Sequence, residues 1–146
     1  MEIHRIDVRV FCKPEDNIEA VKDGLLSLLP FDLDKEKVKI NERNASGFNE
    51  RKIVILDTKI EKQRYIKKIL ENLNKMLTKE QKDLIKSQVE SRLDDEMFFY
   101  LRFDKQKLID KVLWLTDKGD CYHIKLGVAA FPKTRERALE CVRSIF

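Results

Sequence analysis

Between Phe98 and Lys105 the chain reads FFYLRFDK, aromatic rings interleaved with cations. Rings stack on nucleobases and cations pair with phosphates, so this spacing suits a strand that holds a nucleic acid. Period-two alternation divides the stretch into two faces. Met97, Phe99, Leu101 and Phe103 form an apolar set that must face a core, which leaves Phe98, Tyr100 and Arg102 on the other side. The strand signature of RNA-recognition motifs needs glycine where bases approach the sheet, and this stretch has none. It is not that motif. The same alternation nevertheless places Arg5 and Arg9, Lys37 and Lys39, Tyr100 and Arg102, and His123 and Lys125 on one uncovered sheet face. Such a face would track a polyanionic backbone. The competing reading pairs these cations with Asp7 and neighbouring acids, or makes Phe98, Tyr100 and Trp114 a dimer contact.

A second cationic grouping lies in AAFPKTRERALECVR, where a helix beginning near Pro132 would offer unpaired backbone N–H groups and a positive dipole end to an anion. Lys133 and Arg137 project outward, and Arg135 emerges at the rim. Arg102, Lys105 and Lys107 would join them if the strands end together, giving a phosphate clamp. Cations that simply solvate a helix are the plainer reading.

Catalytic chemistry is not legible. His4 and His123 are the only histidines, and neither has a Cys, Asp or Glu at metal-ligand spacing. There is no Gly-rich phosphate loop, Gly-x-Ser-x-Gly elbow or His-Glu-x-x-His. Asp32/Asp34 and Asp94/Asp95 fall at turn and capping positions. Cys121 has no evident base partner for a nucleophilic role. The expectation is a protein without enzymatic activity, metal or cofactor.

The elements that must carry these residues fit one domain over 1–146. Of the 146 residues, 38% are charged against about 25% in ordinary soluble domains. Such dense Lys/Glu usage is also a habit of heat-adapted proteins. Residues 1–60 carry 11 bases and 12 acids, whereas 61–146 carry 19 and 14, so the field that would draw a polyanion belongs to the later part. Cys12, Cys121 and Cys141 are odd in number and far apart, as suits a reduced cytoplasm. The start MEIHRIDVRVFC lacks the layout of a signal peptide. The longest apolar runs, IVIL and LGVAAF, fall far short of the roughly 20 residues that cross a bilayer, so no membrane is expected.

Along the chain, Ile6, Val8 and Val10 alternate with Arg5, Asp7 and Arg9 as a first strand. Ile18, Val21, Leu25, Leu28 and Leu29 stripe a helix announced by Pro14 and the Asp16/Glu19 spacing and ended by Pro30. KVKIN (37–41) and KIVILDTKI (52–60) read as strands around the turn residues NASGFN. Ile66, Ile69, Leu70, Leu73, Met76 and Leu77 line a long helix, and a Thr78/Gln81 capping box opens a thinner one. The opening stretch, KVLWLTD and DCYHIKLGVAAF supply three more strands, with DKGD as a hairpin signal between the last two. A final helix turns Ala138, Leu139, Val142, Ile145 and Phe146 inward. The order predicts an α+β domain of two layers: a mostly antiparallel sheet with helices packed on one face.

IDVRVFCKPEDNIEAVKDGLLSLLP, YLRFDKQK and HIKLGVAAFPKTRERALECVR together resemble a family of small archaeal proteins described as RNA-binding or as predicted exosome subunits. That family's fold is like the ribosomal protein that holds 5S rRNA. The resemblance runs through nearly the whole chain, with one departure: the family's glycine-containing turn before the third strand stands here as NASGFNERK. It implies a 5S-rRNA-binding-protein-like domain, an archaeal cytoplasm, and a non-catalytic partnership with RNA or an RNA-processing complex. It carries no settled set of binding residues. The candidate RNA contacts therefore come from the wet-face reasoning: Arg5, Arg9, Lys37, Lys39, Tyr100, Arg102, Lys105, Lys125, Lys133, Arg135 and Arg137. The alternative is a protein-interaction or homodimerisation module whose partner covers the same face.

Overall fold

The computed structural model describes residues 2–46 and 51–146. Strand β1 (Ile3–Cys12) buries Ile6, Val8 and Val10 on one side and turns Arg5, Asp7 and Arg9 to the other, as period two requires. It is the middle of a five-stranded sheet. On one flank lie β3 (Lys52–Ile60) and then β2 (Asn41–Ser46); on the other lie β5 (Cys121–Val128) and then β4 (Phe98–Asp104). Every neighbouring pair is antiparallel.

The helical layer comprises α1 (Ile18–Leu26), α2 (Leu33–Glu36), α3 (Gln63–Met76), α4 (Lys79–Ser87), α5 (Val89–Arg92), α6 (Lys105–Ile109) and α7 (Arg135–Ile145). Its apolar stripes meet the buried face of the sheet in one core. Val21, Leu25, Ile66, Ile69, Leu73, Ala138 and Val142 pack with Ile6, Val8, Leu56, Leu101, Phe103, Ile124 and Leu126. Tyr122 crosses this core to donate its hydroxyl to the Val21 carbonyl at 2.6 Å. Gly24 is needed beside it, because a Cβ there would overlap the Tyr122 ring and hydroxyl. The expected two-layer α+β architecture is what the structure shows.

Three local expectations are corrected. Residues 37–40 are not a strand. The Asp32 carboxylate caps α2 by accepting from the Lys35 amide, and Lys37 then adopts a left-handed conformation with φ 56° at the helix end. Pairing begins only at Asn41 and runs through NERNAS, where the sequence suggests a turn, to the Ser46–Lys52 pair. The rest of the expected turn, Gly47 to Glu50, lies outside the described residues. KVLWLTD likewise forms no strand: Asp104 caps α6 by accepting from the Lys107 amide, Lys111 turns left-handed at φ 66°, and only Leu115 makes a single bridge, to Phe103. DKGD consequently joins no hairpin, and the described sheet has five strands rather than six. Smaller shifts concern caps. Asn17, not Asp16, caps α1, and Gln81 uses its side chain to accept from the Leu115 amide at 2.8 Å instead of completing a reciprocal box with Thr78.

Candidate nucleic-acid interface

The face of the sheet away from the helices is built by register. Lys59, Asp7, Lys125 and Tyr100 are successive partners across β3, β1, β5 and β4. Two residues along, Asn41, Asp57, Arg9, His123 and Arg102 cross all five strands. At about 4.8 Å between strands, that second row spans about 19 Å. A shallow depression of about 520 Å³ lies over both rows and also takes in Arg5. Five cations line it against two carboxylates, Asp7 and Asp57.

Both carboxylates are already engaged. Asp7 accepts from Arg5 Nε at 2.8 Å, and Asp57 accepts from Arg43 at 2.9 Å and from the Asn41 amide group at 3.1 Å. Lys59 lies 3.9 Å from Glu61. Arg9, Arg102 and Lys125 have no ion-pair partner among the described residues. Two of them lie against rings: the Lys125 ammonium sits 4.0 Å from the Phe98 ring centre and 5.9 Å from that of Tyr100, and the Arg9 guanidinium 5.4 Å from that of Phe11. Phe11 is 36% exposed on this face, a ring the sequence reading did not single out although Phe11 continues the wet alternation of β1.

Tyr100 is held rigidly. Its hydroxyl donates to Asp94 at 3.0 Å, while the other Asp94 oxygen accepts from the Phe98 and Glu96 amides, each at 2.9 Å. Burial opposes the Asp94 charge, yet these hydrogen bonds outweigh it and keep the carboxyl below its usual range. Burial and the bond to Asp94 push the Tyr100 hydroxyl up. Asp94, read from sequence as a turn residue, is both a turn cap and the anchor of this ring.

His123 stands between Arg9 and Arg102 in the long row. Burial first, then the two guanidinium charges, hold its pKa below the ordinary histidine value, so the imidazole is neutral near pH 7. Its Nε2 lies 3.4 Å from Cys121 Sγ, which corrects the expectation that Cys121 has no base partner. Burial nevertheless raises the Cys121 thiol, with Arg102 opposing, and the sulfur is not poised as a thiolate.

The remaining candidates fall elsewhere. Lys105 is only 5% exposed. It reaches beneath the sheet end to donate to the Phe11 carbonyl at 2.6 Å and to Asp16 at 3.0 Å, and it does not reach the open face. Lys37 and Lys39 are exposed but precede β2, off the sheet. The expected clamp at the start of α7 is not assembled. Phe98 pairs with Gly127 and Asp104 with Cys121, so Arg102, Lys105 and Lys107 lie toward the opposite end of β4 from the segment leading to α7. Arg135 donates to the Leu93 and Glu90 carbonyls, Arg137 bridges Glu2 at 2.7 Å and Glu140 at 3.0 Å, and Thr134 caps the first turn. Lys133 and Arg135 are both exposed without an ion pair among the described residues, but Arg135 is spent on backbone carbonyls, which leaves Lys133 as the free cation of that trio among the described residues. Lys59 was missed, although it continues the alternation of DTKI.

Among the described residues no group of three or more His, Cys, Asp or Glu side chains could hold a metal ion, and no helix is long and apolar enough to cross a membrane.

A family model described as RNA binding matches residues 5–128. The RNA-binding protein PAB1135 of Pyrococcus abyssi is 30% identical over 143 residues, which are 98% of this chain and 93% of that protein. The crystal structure of a DUF54 protein from Archaeoglobus fulgidus is similar with a TM-score of 0.87 and 27% identity, covering 99% of this chain and all of that one. A DUF54 protein from Methanothermobacter thermautotrophicus is similar with a TM-score of 0.82 and 25% identity, covering 99% and 98%.

Proposed function

This chain belongs to the RNA-binding family matched over residues 5–128, and from that premise we propose that its uncovered sheet face grips the RNA backbone without catalysing a reaction on it. The observation that carries this reading is the set of three cations, Arg9, Arg102 and Lys125, left without carboxylate partners among the described residues on a shallow, ring-lined face. Phosphates replace the missing carboxylates, releasing counterions from the nucleic acid. Arg5 follows by exchanging Asp7 for a phosphate. Bases stack on Tyr100 and Phe11. Phe98 already carries the Lys125 ammonium over its ring, so a base takes that position only by displacing the lysine.

The resemblance to exosome-subunit proteins supports extending this reading to an accessory role in cytoplasmic RNA processing, which copurification of the tagged protein with its RNA and partners would test. The direct test of the face is affinity for a structured RNA as salt rises. Replacing Arg9, Arg102 and Lys125 together with Gln should flatten the slope of log affinity against log salt by about 2 to 3 units, since each phosphate contact contributes about 0.7 to 0.9. An unchanged slope would remove these residues from the interface. Should Tyr100→Asp instead dissolve a dimer and leave RNA affinity untouched, the face is a protein contact.

A further inference from the structure

A second hollow, about 680 Å³, lies where the end of β3 meets the α2–β2 connection and the first turn of α3. Six cations line it, Lys35, Lys37, Lys39, Lys59, Lys62 and Arg64, against two carboxylates, Glu36 and Glu61. Both acids are taken. Glu36 accepts from the Tyr65 hydroxyl at 2.7 Å and from Arg64 at 3.3 Å, and Glu61 lies 3.9 Å from Lys59. Lys35, Lys37, Lys39 and Lys62 have no ion-pair partner among the described residues. Like charges gathered around one hollow repel one another, and a polyanion relieves that repulsion. Lys37 adds to the case. It holds φ 56° at a position that glycine or asparagine ordinarily fills, so a lysine stands there against the backbone preference.

Two observations join this hollow to the open sheet face. Lys59 and Asn41 line both. The carboxylate on the border, Asp57, is occupied by Arg43 and Asn41. A chain of phosphates leaving the Arg9–His123–Arg102 row at Lys59 therefore enters the hollow without crossing an unpaired carboxylate among the described residues. The cations are exposed lysines on flexible stems, not a converging buried donor set. That suits a spaced row of phosphates better than one fixed anion.

We propose that this hollow is a second backbone-binding segment, so that one RNA strand runs from the open face over the end of β3 and along Lys59, Lys39, Lys37 and Lys62. The proposal rests on the open face being the RNA surface and extends the footprint beyond it.

The test uses uridine oligomers from about 4 to about 16 nucleotides, the range of single-strand site sizes, with affinity measured at several salt concentrations. For the native chain the salt slope should climb with oligomer length to a plateau. A variant with Lys35→Gln, Lys37→Gln, Lys39→Gln and Lys62→Gln should match it on the shortest oligomers and then level off earlier, about 2 to 3 units lower, at about 0.7 per lost single-strand contact. All four side chains are exposed, and an unchanged melting temperature checks that the variant is folded. A plateau equal to the native one overturns the proposal while leaving the open face intact. Failure of the underlying reading looks different: the Arg9, Arg102 and Lys125 variant would then keep the native slope at every length.

Discussion

Arg9, His123 and Arg102 stand side by side in one cross-strand row, and their proximity makes the histidine a reporter of what binds there. In the free protein, burial and two flanking guanidinium groups hold His123 below its ordinary pKa. A phosphate arriving between the arginines supplies the opposite field and raises it. Binding in the window between the two values takes up a proton, so affinity should strengthen as pH falls from 7 through 6 or so, around the unperturbed value of about 6.5. His123→Gln should abolish that dependence while leaving the salt slope nearly intact; calorimetry in buffers of different ionisation heat would detect the proton. At this scale alternation alone located Arg5, Arg9, Tyr100, Arg102 and Lys125. It could not reveal whose tips are taken. Asp16, which holds Lys105, and Glu2, which holds Arg137, lie 89 and 135 residues away, and no local pattern carries that information.

Among the elements, the turn between β4 and α6 shows where periodicity stops. Asp104 ends the strand and caps the helix, and Lys105, expected in a phosphate clamp, lies instead in the crevice beside Phe11 and Asp16. Burial opposes the Asp16 charge, but the Lys13 amide and Lys105 outweigh it and lower its pKa. A lowered carboxyl stabilises the fold above its unfolded value of about 3.9, and that contribution is lost as pH falls through the folded value. Lys105→Met should therefore cost about 3 kcal/mol at neutral pH, the low end of the penalty for orphaning one member of a largely buried pair, and progressively less as pH falls through the lowered Asp16 value. Urea unfolding measures it. The same variant should keep the native salt slope for RNA, because this lysine is structural. β1, β3, β4, β5, α1, α3, α4 and α7 were legible because each carries a buried stripe at its own period. β2 was not: its side chains are mostly exposed, and pairing with β3, not apolar patterning, makes it a strand.

For the whole molecule, the central fact is an imbalance between two sides of one sheet. Helices cover the apolar side. On the other, the acids are paired within the face while several cations are not, and rings fill the space between. A net charge of only +4 conceals this, because total charge says nothing of which ions meet across strands. The two-layer plan followed from the order of elements, and the wet face followed from alternation, whereas the second basic hollow exists only because α2, β3 and α3 converge.

The most direct measurement is an amide NMR titration of isotopically labelled protein with RNA. The account predicts shifts concentrated at Arg9, Phe11, Tyr100, Arg102, His123 and Lys125, with little change in α4, α5 and α7. Shifts confined to α4, α5 and α7, with β1, β4 and β5 silent, would contradict it.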